Sequence, residues 1–296
     1  MLISVIICTC NRGERLLDTL KSIENMSVDT GVEWELIIVD NNSTDNTKSV
    51  IQEFSCESRI PMRYVFESAQ GLSNARNAGL REATGGYTAF TDDDCIIDKQ
   101  WLTSIIREFE SDPDLIGIGG RVELYNDKDQ RVTVRTYKER LLFASPYDTF
   151  KLFTGCNMAF ARRVYDLIGT FDPEFGAGTK LKSAEDSDFF YRVFKAGGKM
   201  IYSPEVLVYH NHGRNTDSQV RALNRGYVIG RGAFYCKHIM KGDSTVLKMA
   251  FREYLSRIKN IIKKLSSGTP IMIEVKYAYY LIVGVVYRIG LMLKNS

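Results

Sequence analysis

The sequence predicts an α/β protein built around a mostly parallel, doubly wound sheet. Short apolar runs alternate with segments of helical spacing four times within residues 1–90. This alternation is typical of βαβ units with right-handed crossovers. Two of the runs also end in clusters of polar residues, at 40–43 and 92–94. Open α/β sheets bind their ligands at such strand ends.

The first part of the chain supplies the most regular elements. Continuous β-rich runs predict strands covered on both faces, and apolar residues three and four apart predict helices. Ser43 is expected to cap the second helix. The expected order is a strand at 4–8, a helix containing Leu16, Leu17, Leu20 and Ile23, a strand at 34–39, a helix at 43–54, a strand at 63–66, a helix at 71–83 and a strand at 87–90.

The later part is less regular, and residues 125–150 allow no assignment. The expected elements are a helix at 99–109, strands at 116–124 and 153–161, a short helix at 164–168, a helix at 184–196, strands at 199–202 and 206–209, helices at 219–241 and 249–265, and an apolar segment at 271–293. We expect a catalytic domain over 1–215, with halves at about 1–120 and 121–215, and a C-terminal helical extension over 216–296.

The composition is that of an ordinary globular chain. Of the 296 residues, 44% are hydrophobic and 25% are charged, which argues against disorder. The net charge is only +3, but residues 241–296 hold ten Lys or Arg and three Asp or Glu. A basic tail on a mildly acidic body predicts contact with an anionic surface.

Six cysteines occur without any CxxC pair, so a zinc cluster is not expected. We expect reduced thiols in a cytosolic protein. The apolar N-terminus lacks a basic lead and a small-residue cleavage site, so we expect a first strand there and not a signal peptide.

Three consecutive carboxylates, Asp92, Asp93 and Asp94, follow the fourth expected strand. Adjacent negative charges repel one another and are costly to desolvate. They predict either a divalent-metal site at the carboxyl end of the strand or a solvated acidic loop. His210 and His212 follow a later strand and are expected to point the same way. Either histidine is a candidate for the metal shell or for contact with a phosphate.

Asp40 ends the second expected strand, where doubly wound folds meet a nucleotide. Its carboxylate could accept a hydrogen bond from a base or a ribose, or the turn from Asp40 to Ser43 could simply cap the next helix. No GxGxxG or P-loop pattern occurs, which disfavours dinucleotide binding. Glu185 and Asp186 open another helix, either as first-turn acids beside an N-cap Ser183 or as a general base.

The C-terminal segments at 249–265 and 271–293 differ in character. The first has one apolar face opposite a row of basic residues, which is typical of a basic amphipathic helix. The longest charge-free stretch of the second, 277–287, is shorter than a membrane-spanning helix needs. We expect residues 247–293 to contact an anionic membrane, to pack as helices on the body, or to form a homodimer.

Five stretches of the sequence, taken together, resemble the family 2 glycosyltransferases. They span about residues 3–212 and comprise residues 4–12 (SVIICTCNR), 39–45 (VDNNSTD), 71–79 (GLSNARNAG), the three aspartates at 92–94, and 171–176 (FDPEFG) followed by 184–186 (AED) and Arg192. The resemblance implies the GT-A fold, in which a Rossmann-like, nucleotide-binding mixed sheet is flanked by helices. It also implies inverting transfer of a sugar from a nucleotide-sugar donor to an acceptor hydroxyl, with Mn²⁺ or Mg²⁺ as cofactor.

The implied nucleotide-sugar pocket draws on the first half of the chain. Its residues are Thr9, Asn11, Arg12, Asp40, Asn42, Arg76, Asp92 and Asp93. Within this set, Asp40 would contact the base, typically uracil, and Asp92 would lie near the ribose. Arg76 would hold the base or a phosphate, and Asp93 has no defined role.

The resemblance assigns the metal, the base and the acceptor pocket to further residues. Asp92 and Asp94 fit the DxD pattern of the family, with Asp94 as the direct metal ligand, and His210 is a looser match for the same shell. Asp186 is implied as the catalytic base, with Glu185 beside it contacting the acceptor. The segment implied to border the acceptor pocket comprises Gly155, Cys156 and Asn157.

The QxxRW motif of processive synthases is missing, so we expect an enzyme that adds one sugar. The expected donor is UDP-linked, and the expected acceptor is a glycan or a lipid-linked glycan of the cell surface. We expect a cytoplasmic location, at the inner face of the membrane, and no nucleic-acid partner. A sugar nucleotidyltransferase, whose usual glycine-rich loop is missing, and a non-catalytic partner-binding homologue are the alternatives.

Overall fold

The computed structural model describes residues 2–295, which form a nine-stranded sheet flanked by helices. The strands are β1 Leu2–Thr9, β2 Glu33–Asp40, β3 Met62–Phe66, β4 Tyr87–Asp92, β5 Cys95–Ile97, β6 Leu115–Leu124, β7 Leu141–Leu142, β8 Asn157–Ala161 and β9 Lys199–His210. The helices are α1 Gly13–Glu24, α2 Thr47–Glu57, α3 Leu72–Glu82, α4 Trp101–Ser111, α5 Arg163–Ile168, α6 Glu185–Lys195, α7 Asp217–Met240, α8 Ser244–Ser266 and α9 Met272–Asn295, with a 3₁₀ turn at Pro146–Phe150.

The sheet order is β3-β2-β1-β4-β8-β6-β9-β5, and β7 pairs with β9. Strands β1 to β4 pair in parallel, as their alternation with helices predicts. Strand β8 is antiparallel to both β4 and β6, and β5 and β7 are antiparallel to β9. The sheet is therefore mixed, as the family resemblance implied, and the expectation of a mostly parallel sheet holds only for its first half.

The direction of β8 decides where the polar strand ends lie. Because β8 is antiparallel to both neighbours, β6 runs in the same direction as β4, and β9 is parallel to β6. The carboxyl ends of β1, β2, β4 and β9 therefore meet at one edge of the sheet. This edge carries the residues Thr9, Asp40, Asp92 and His210.

The core forms between the central strands and the helices packed on them. Strand β1 is mostly apolar and buried, and so is the second half of β2 from Leu36 to Val39, because both faces of the sheet are covered there. Helix α3 approaches them closely at Gly79, where a Cβ atom would lie 2.6 Å from Cγ2 of Ile6. A small residue is therefore required at this contact, and it brings Arg76 of the same helix to the sheet.

Two local expectations are wrong. Helix α2 begins at Thr47 and not at Ser43, because the backbone N–H of Thr47 donates a hydrogen bond to Oδ1 of Asp45. Residues 199–210 form one strand, not two. Pro204 suggests a break, but the chain accommodates it where the register with β6 shifts between Gly120 and Arg121.

The chain divides into two compact units. The first contains the residues up to Pro173 and Asp186–Thr216, and the second contains Glu174–Glu185 and the residues from Asp217. The last boundary between the units lies between Thr216 and Asp217, one residue after the domain boundary that we expected between residues 215 and 216. The short segment Glu174–Glu185, which we expected in the catalytic domain, belongs to the second unit.

Within the second unit, α9 packs closely on α7. A Cβ atom at Gly232 of α7 would lie 2.1 Å from the carbonyl oxygen of Leu281, and one at Gly284 of α9 would lie 2.0 Å from that of Ile229. By length and composition alone, Met272–Lys294 could cross a membrane, with a mean hydropathy of 1.3. This differs from the expectation that the apolar stretch is too short, because the helix extends past the charged residues that interrupt the run.

Candidate active site

Asp93 is buried at the centre of a cluster formed by the ends of β1 and β4. Its Oδ2 accepts a hydrogen bond from Thr9 Oγ1 at 2.7 Å, and its Oδ1 accepts one from Arg12 Nη1 at 2.8 Å. Burial, together with the neighbouring carboxylates, raises the pKa of Asp93 to about 6, although Arg12 opposes the shift. The aspartate with no defined role in the sequence thus anchors two expected donor-pocket residues.

Arg12 joins this cluster to the third aspartate. The same Nη1 atom lies 3.0 Å from Oδ2 of Asp94, and the side chain is 40% exposed. The charge of Asp93 and then that of Asp94 raise the pKa of Arg12, against the effect of burial. Arg12 is therefore a fixed, partly open cation beside the carboxylates.

Asp94 and His210 form a buried ion pair within the site. Nε2 of His210 lies 3.1 Å from Oδ1 of Asp94, and both side chains are buried. Burial disfavours ionisation of Asp94, but the hydrogen bond and charge of His210 prevail and lower its pKa to about 2. Burial likewise disfavours the charged imidazole, but the bond to Asp94 prevails and raises the pKa of His210 to about 9.

The other ring nitrogen of His210 is held by Thr133. The Thr133 hydroxyl donates to the carbonyl oxygen of Val132 at 2.6 Å, so its oxygen can accept from Nδ1–H of His210 at 2.9 Å. When the ring is neutral, Nε2 then has its lone pair directed towards Asp94. A partner on the distal nitrogen is the usual way in which a metal-binding histidine is oriented.

The donor atoms fit a divalent cation. Ligand atoms of Asp94, Cys95 and His210 all lie within 4.8 Å of one another. Cys95 is the poorest of the three, because burial raises the pKa of its thiol. A carboxylate with an imidazole suits Mn²⁺ better than Mg²⁺, which prefers oxygen ligands and water.

Asp92 and Arg76 lie between this cluster and Gly155, one of the expected acceptor residues. Arg76 is buried, its Nη2 lies 3.7 Å from Oδ1 of Asp92, and the same atom donates to the carbonyl oxygen of Gly155 at 3.1 Å. Its guanidinium also lies over the ring of Phe171, 5.4 Å from the centroid. A rigid cation therefore stands next to the first aspartate.

Asp186 contacts Gly155, the same glycine that Arg76 contacts. The backbone N–H of Gly155 donates to Oδ2 of Asp186 at 2.9 Å, and the N–H of Ser187 donates to Oδ1 at 2.6 Å. Asp186 is half-buried at the start of α6, whereas Glu185 before it is buried and belongs to the second unit. Ser183, the expected N-cap, lies one residue too early, because the helix begins at Glu185. The hydroxyl of Ser183 instead donates to the carbonyl oxygen of Gly226.

Asp40 has both carboxylate oxygens bonded. Oδ1 accepts from the N–H of Ser43 at 3.0 Å, and Oδ2 accepts from the Tyr64 hydroxyl at 2.9 Å. Burial, together with Asp40, raises the pKa of Tyr64 to about 12. Tyr64 was missed in the sequence because nothing in its own strand marks it. Only the register that pairs it with Ile38, two residues before Asp40, brings it there.

Asn11 and Asn42 shape the loops at this edge. Both have positive φ angles, 55° and 60°, which asparagine tolerates better than most residues. Oδ1 of Asn11 accepts from the N–H of Thr44 at 2.7 Å, and the N–H of Asn11 donates to Ser43 Oγ at 2.9 Å. The Asn11 side chain thus ties the loop after β1 to the loop after β2.

Two of the three expected acceptor residues point into the core. Cys156 is buried, and Asn157 is fully buried with its amide bonded to Trp101, Arg121 and Val206. These bonds give Asn157 a structural role in the core, and its contact with an acceptor stays a prediction. Gly155 alone lies between Arg76 and Asp186.

His212 does not contact Asp94 in the way that His210 does. It is buried, its Nδ1 accepts from the N–H of Arg214 at 2.9 Å, and it lies 3.4 Å from Asp129. Burial and the nearby His210 lower its pKa. A neutral histidine that orders the loop after β9 fits these contacts.

Comparison with known proteins identifies the family of this chain. The model of the family described as Glycosyl transferase family 2 matches residues 4–169, more than half of the chain. The succinoglycan biosynthesis protein ExoM of Rhizobium meliloti is 25% identical over 77% of this chain and 73% of its own length. A chondroitin synthase of Escherichia coli is 26% identical over 77% of this chain but only 37% of its own length.

The fold is also that of a solved relative. The mannosyltransferase PcManGT from Pyrobaculum calidifontis, in complex with GDP-Man and Mn²⁺, superposes with a TM-score of 0.67 at 20% identity. The superposition covers 97% of this chain and 86% of that one. The family match over residues 4–169 and this superposition favour a glycosyltransferase over the two alternatives, a sugar nucleotidyltransferase and a non-catalytic homologue. The chain belongs to glycosyl transferase family 2, and it is a glycosyltransferase with the GT-A fold.

Proposed function

We propose that this protein transfers one sugar, with inversion, from a UDP-linked donor to an acceptor hydroxyl in the assembly of a cell-surface polysaccharide or glycolipid. The observation that carries the proposal is the chain of contacts from Asp94 and His210, through Asp92 and Arg76, to Gly155 and Asp186. These contacts support the proposal, because a cation held by Asp94 and His210, the guanidinium of Arg76 and the half-buried carboxylate of Asp186 would lie along one path. An inverting displacement can use such a base to activate the acceptor and such positive charge to stabilise the departing diphosphate.

In this proposal Asp40 receives the base and Asp92 lies near the ribose. Arg12 and Arg76 are the protein cations beside the diphosphate, because both are already held against carboxylates at the edge of the sheet. Thr9 and Asp93 keep Arg12 in place. Asn11 and Asn42 set the two loops that border the base.

Asp94, His210 and Asp92 would hold a divalent cation, which would neutralise charge on the departing diphosphate. Asp186 acts as the general base. Its Oδ2 is fixed by the Gly155 N–H, and its ionised form takes the proton of the acceptor hydroxyl as that oxygen attacks the anomeric carbon. Attack comes from the face opposite the nucleotide, so one displacement inverts the centre and no covalent sugar–enzyme bond forms.

The reaction is tested with Asp186→Asn, which keeps the shape and removes the base. Transfer from a panel of UDP-sugars with Mn²⁺ is expected to fall by about 10²- to 10⁴-fold, while UDP binding stays within about twofold because the donor contacts remain. Asp166→Asn, an exposed aspartate on α5, is the matched control. Full transfer by Asp186→Asn would remove Asp186 as the base.

The place of action is part of the same proposal. We propose a cytoplasmic enzyme at the inner face of the membrane that acts on a glycan or lipid-linked acceptor. Residues 247–293 are the proposed membrane contact, and a homodimer is the competing use of the same residues. The basic balance of residues 241–296 supports the membrane contact.

A further inference from the structure

Helix α8 carries a row of large apolar side chains on its surface. The row comprises Leu247, Phe251, Tyr254, Leu255, Ile262 and Leu265, whose exposure ranges from 38% to 62%. Their spacing of mostly three and four residues puts them on one face of the helix. A helix of a soluble protein normally turns such a face towards the core. The exposure of this row therefore indicates that an apolar partner covers it.

A row of cations follows one edge of the apolar row. Lys248, Arg252 and Lys263 each come directly after a member of that row, and Lys259 lies on the same edge; all four are exposed. One residue corresponds to about 100° around an α-helix, so the cations flank the apolar side chains. The two rows together make a basic amphipathic surface.

The opposite side of α8 packs against α7 and α9. Glu253 lies 3.2 Å from Arg231 of α7, and Arg257 and Lys264 each lie 3.1 Å from Glu274 of α9. Val246 and Met249 are buried on this side. These contacts fix the rotation of α8, and the apolar and basic rows therefore face outward.

The charges of α9 oppose a membrane crossing by that helix. Glu274 is buried between Arg257 and Lys264. Arg288 is ion-paired with Glu174, and its guanidinium lies 5.5 Å from the ring centroid of Phe175. Crossing would break these pairs or carry them into hydrocarbon, where charges are costly. These ion pairs therefore favour α9 packed along α7 over α9 crossing a bilayer.

We propose that α8 docks the second unit on an anionic lipid bilayer, with its axis in the plane of the surface, its apolar row among the acyl chains and its basic row at the headgroup phosphates. Charge complementarity selects this occupant, since residues 241–296 hold ten Lys or Arg against three Asp or Glu. In a symmetric dimer through α8, a second copy of the chain would place the same positive row against itself.

The basic row is tested by co-sedimentation of the full chain with phosphatidylglycerol-containing and pure phosphatidylcholine vesicles. Binding is expected only to the anionic vesicles, and it should weaken in high salt. The variant Lys248→Gln/Arg252→Gln/Lys259→Gln/Lys263→Gln should bind about 600-fold more weakly, from about fivefold for each of the four cations. Lys21→Gln/Lys99→Gln/Lys128→Gln/Lys151→Gln removes the same charge from exposed positions elsewhere and should bind within about twofold of the parent.

The apolar row is tested by Phe251→Ser/Ile262→Ser, which should also release the protein from anionic vesicles. The matched control, Leu142→Ser/Leu167→Ser, removes two exposed leucines outside α8 and should bind normally. Alkaline carbonate should extract the parent protein, because no helix crosses the bilayer.

Three results would overturn the proposal. One is equal binding by the basic-row variant and its control. Another is retention of the parent protein after carbonate extraction, which would mean that α9 crosses the bilayer. The third is a dimer in sedimentation velocity that Phe251→Ser/Ile262→Ser dissociates, without vesicle binding by the parent. All of these measurements omit donor and acceptor, so their failure leaves the proposed transfer reaction untouched.

Discussion

Nε2 of His210 lies 3.1 Å from Oδ1 of Asp94, across 116 residues of sequence. The contact exists because β5 and β9 pair antiparallel, with Cys95 opposite His210. In the metal-free protein it is an ion pair. A cation that binds both atoms must displace the imidazole proton, because a metal ligand has to be deprotonated.

Binding of Mn²⁺ is therefore expected to release about one proton per ion near pH 7.5, since the pKa of His210 is raised to about 9. Calorimetric titration in buffers of different ionisation enthalpy measures this number. His210→Gln should weaken Mn²⁺ binding by at least about tenfold and abolish the proton release. The same substitution at the buried His238 in α7, which lies in the second unit, is the control. Equal proton release by His210→Gln and the parent would contradict the assignment.

The stability of the metal-free protein is expected to depend on pH through the same pair. The folded-state pKa of His210 is raised from 6.5 to about 9, so its contribution is fully present below pH 6.5 and is lost as the pH rises through about 9. The pKa of Asp94 is lowered to about 2, so the pair is lost at the acid end only as the pH falls from 3.8 through about 2.

In EDTA, the parent should therefore melt several degrees above His210→Gln at pH 6, and this gap should close by pH 10. Thermal unfolding followed by circular dichroism at both pH values gives the comparison. A gap that is the same at pH 6 and pH 10 would show that the ion pair contributes nothing to folding.

Tyr64→Phe is expected to raise the KM for the nucleotide-sugar donor by about tenfold and to leave kcat within about twofold. The phenol donates to Oδ2 of Asp40, and a hydrogen bond to a charged group contributes about 1.5–3 kcal/mol. Tyr254→Phe, at an exposed position of α8, is the control. Because Tyr64 would act through Asp40, adding Tyr64→Phe to Asp40→Ala should change KM little further. Additive effects would mean that Tyr64 acts independently.

Asn157→Ala is expected to lower the free energy of unfolding by about 3 kcal/mol, because it leaves Trp101 Nε1 and two backbone carbonyls without their partner in the core. Urea unfolding measures the change, and exposed Asn260→Ala should have almost no effect. Unchanged stability combined with weaker acceptor binding would restore Asn157 to the acceptor pocket.

The elements that the sequence predicted best are those set by local pattern. Apolar runs and helical spacing placed β1 to β4 and α1 to α4 within a few residues of their bounds. Two expectations failed at single elements. Strand β5 has only three residues, too few for an alternating or continuous pattern to emerge. Ser43 is a good capping residue by type, but its hydroxyl accepts the N–H of Asn11, which comes from another loop.

Sequence alone determined which chemistry this protein can carry, because the residues that end β1, β2 and β4 are fixed by where each apolar run stops. It singled out Asp40, the three aspartates at 92–94 and Asp186. Only the tertiary structure divided the aspartates among their partners. Thr9 and Arg12 reach Asp93 across 84 and 81 residues, and His210 reaches Asp94 across 116. Contacts of that separation depend on strand order and register, which the packing of the whole sheet sets and no local pattern records.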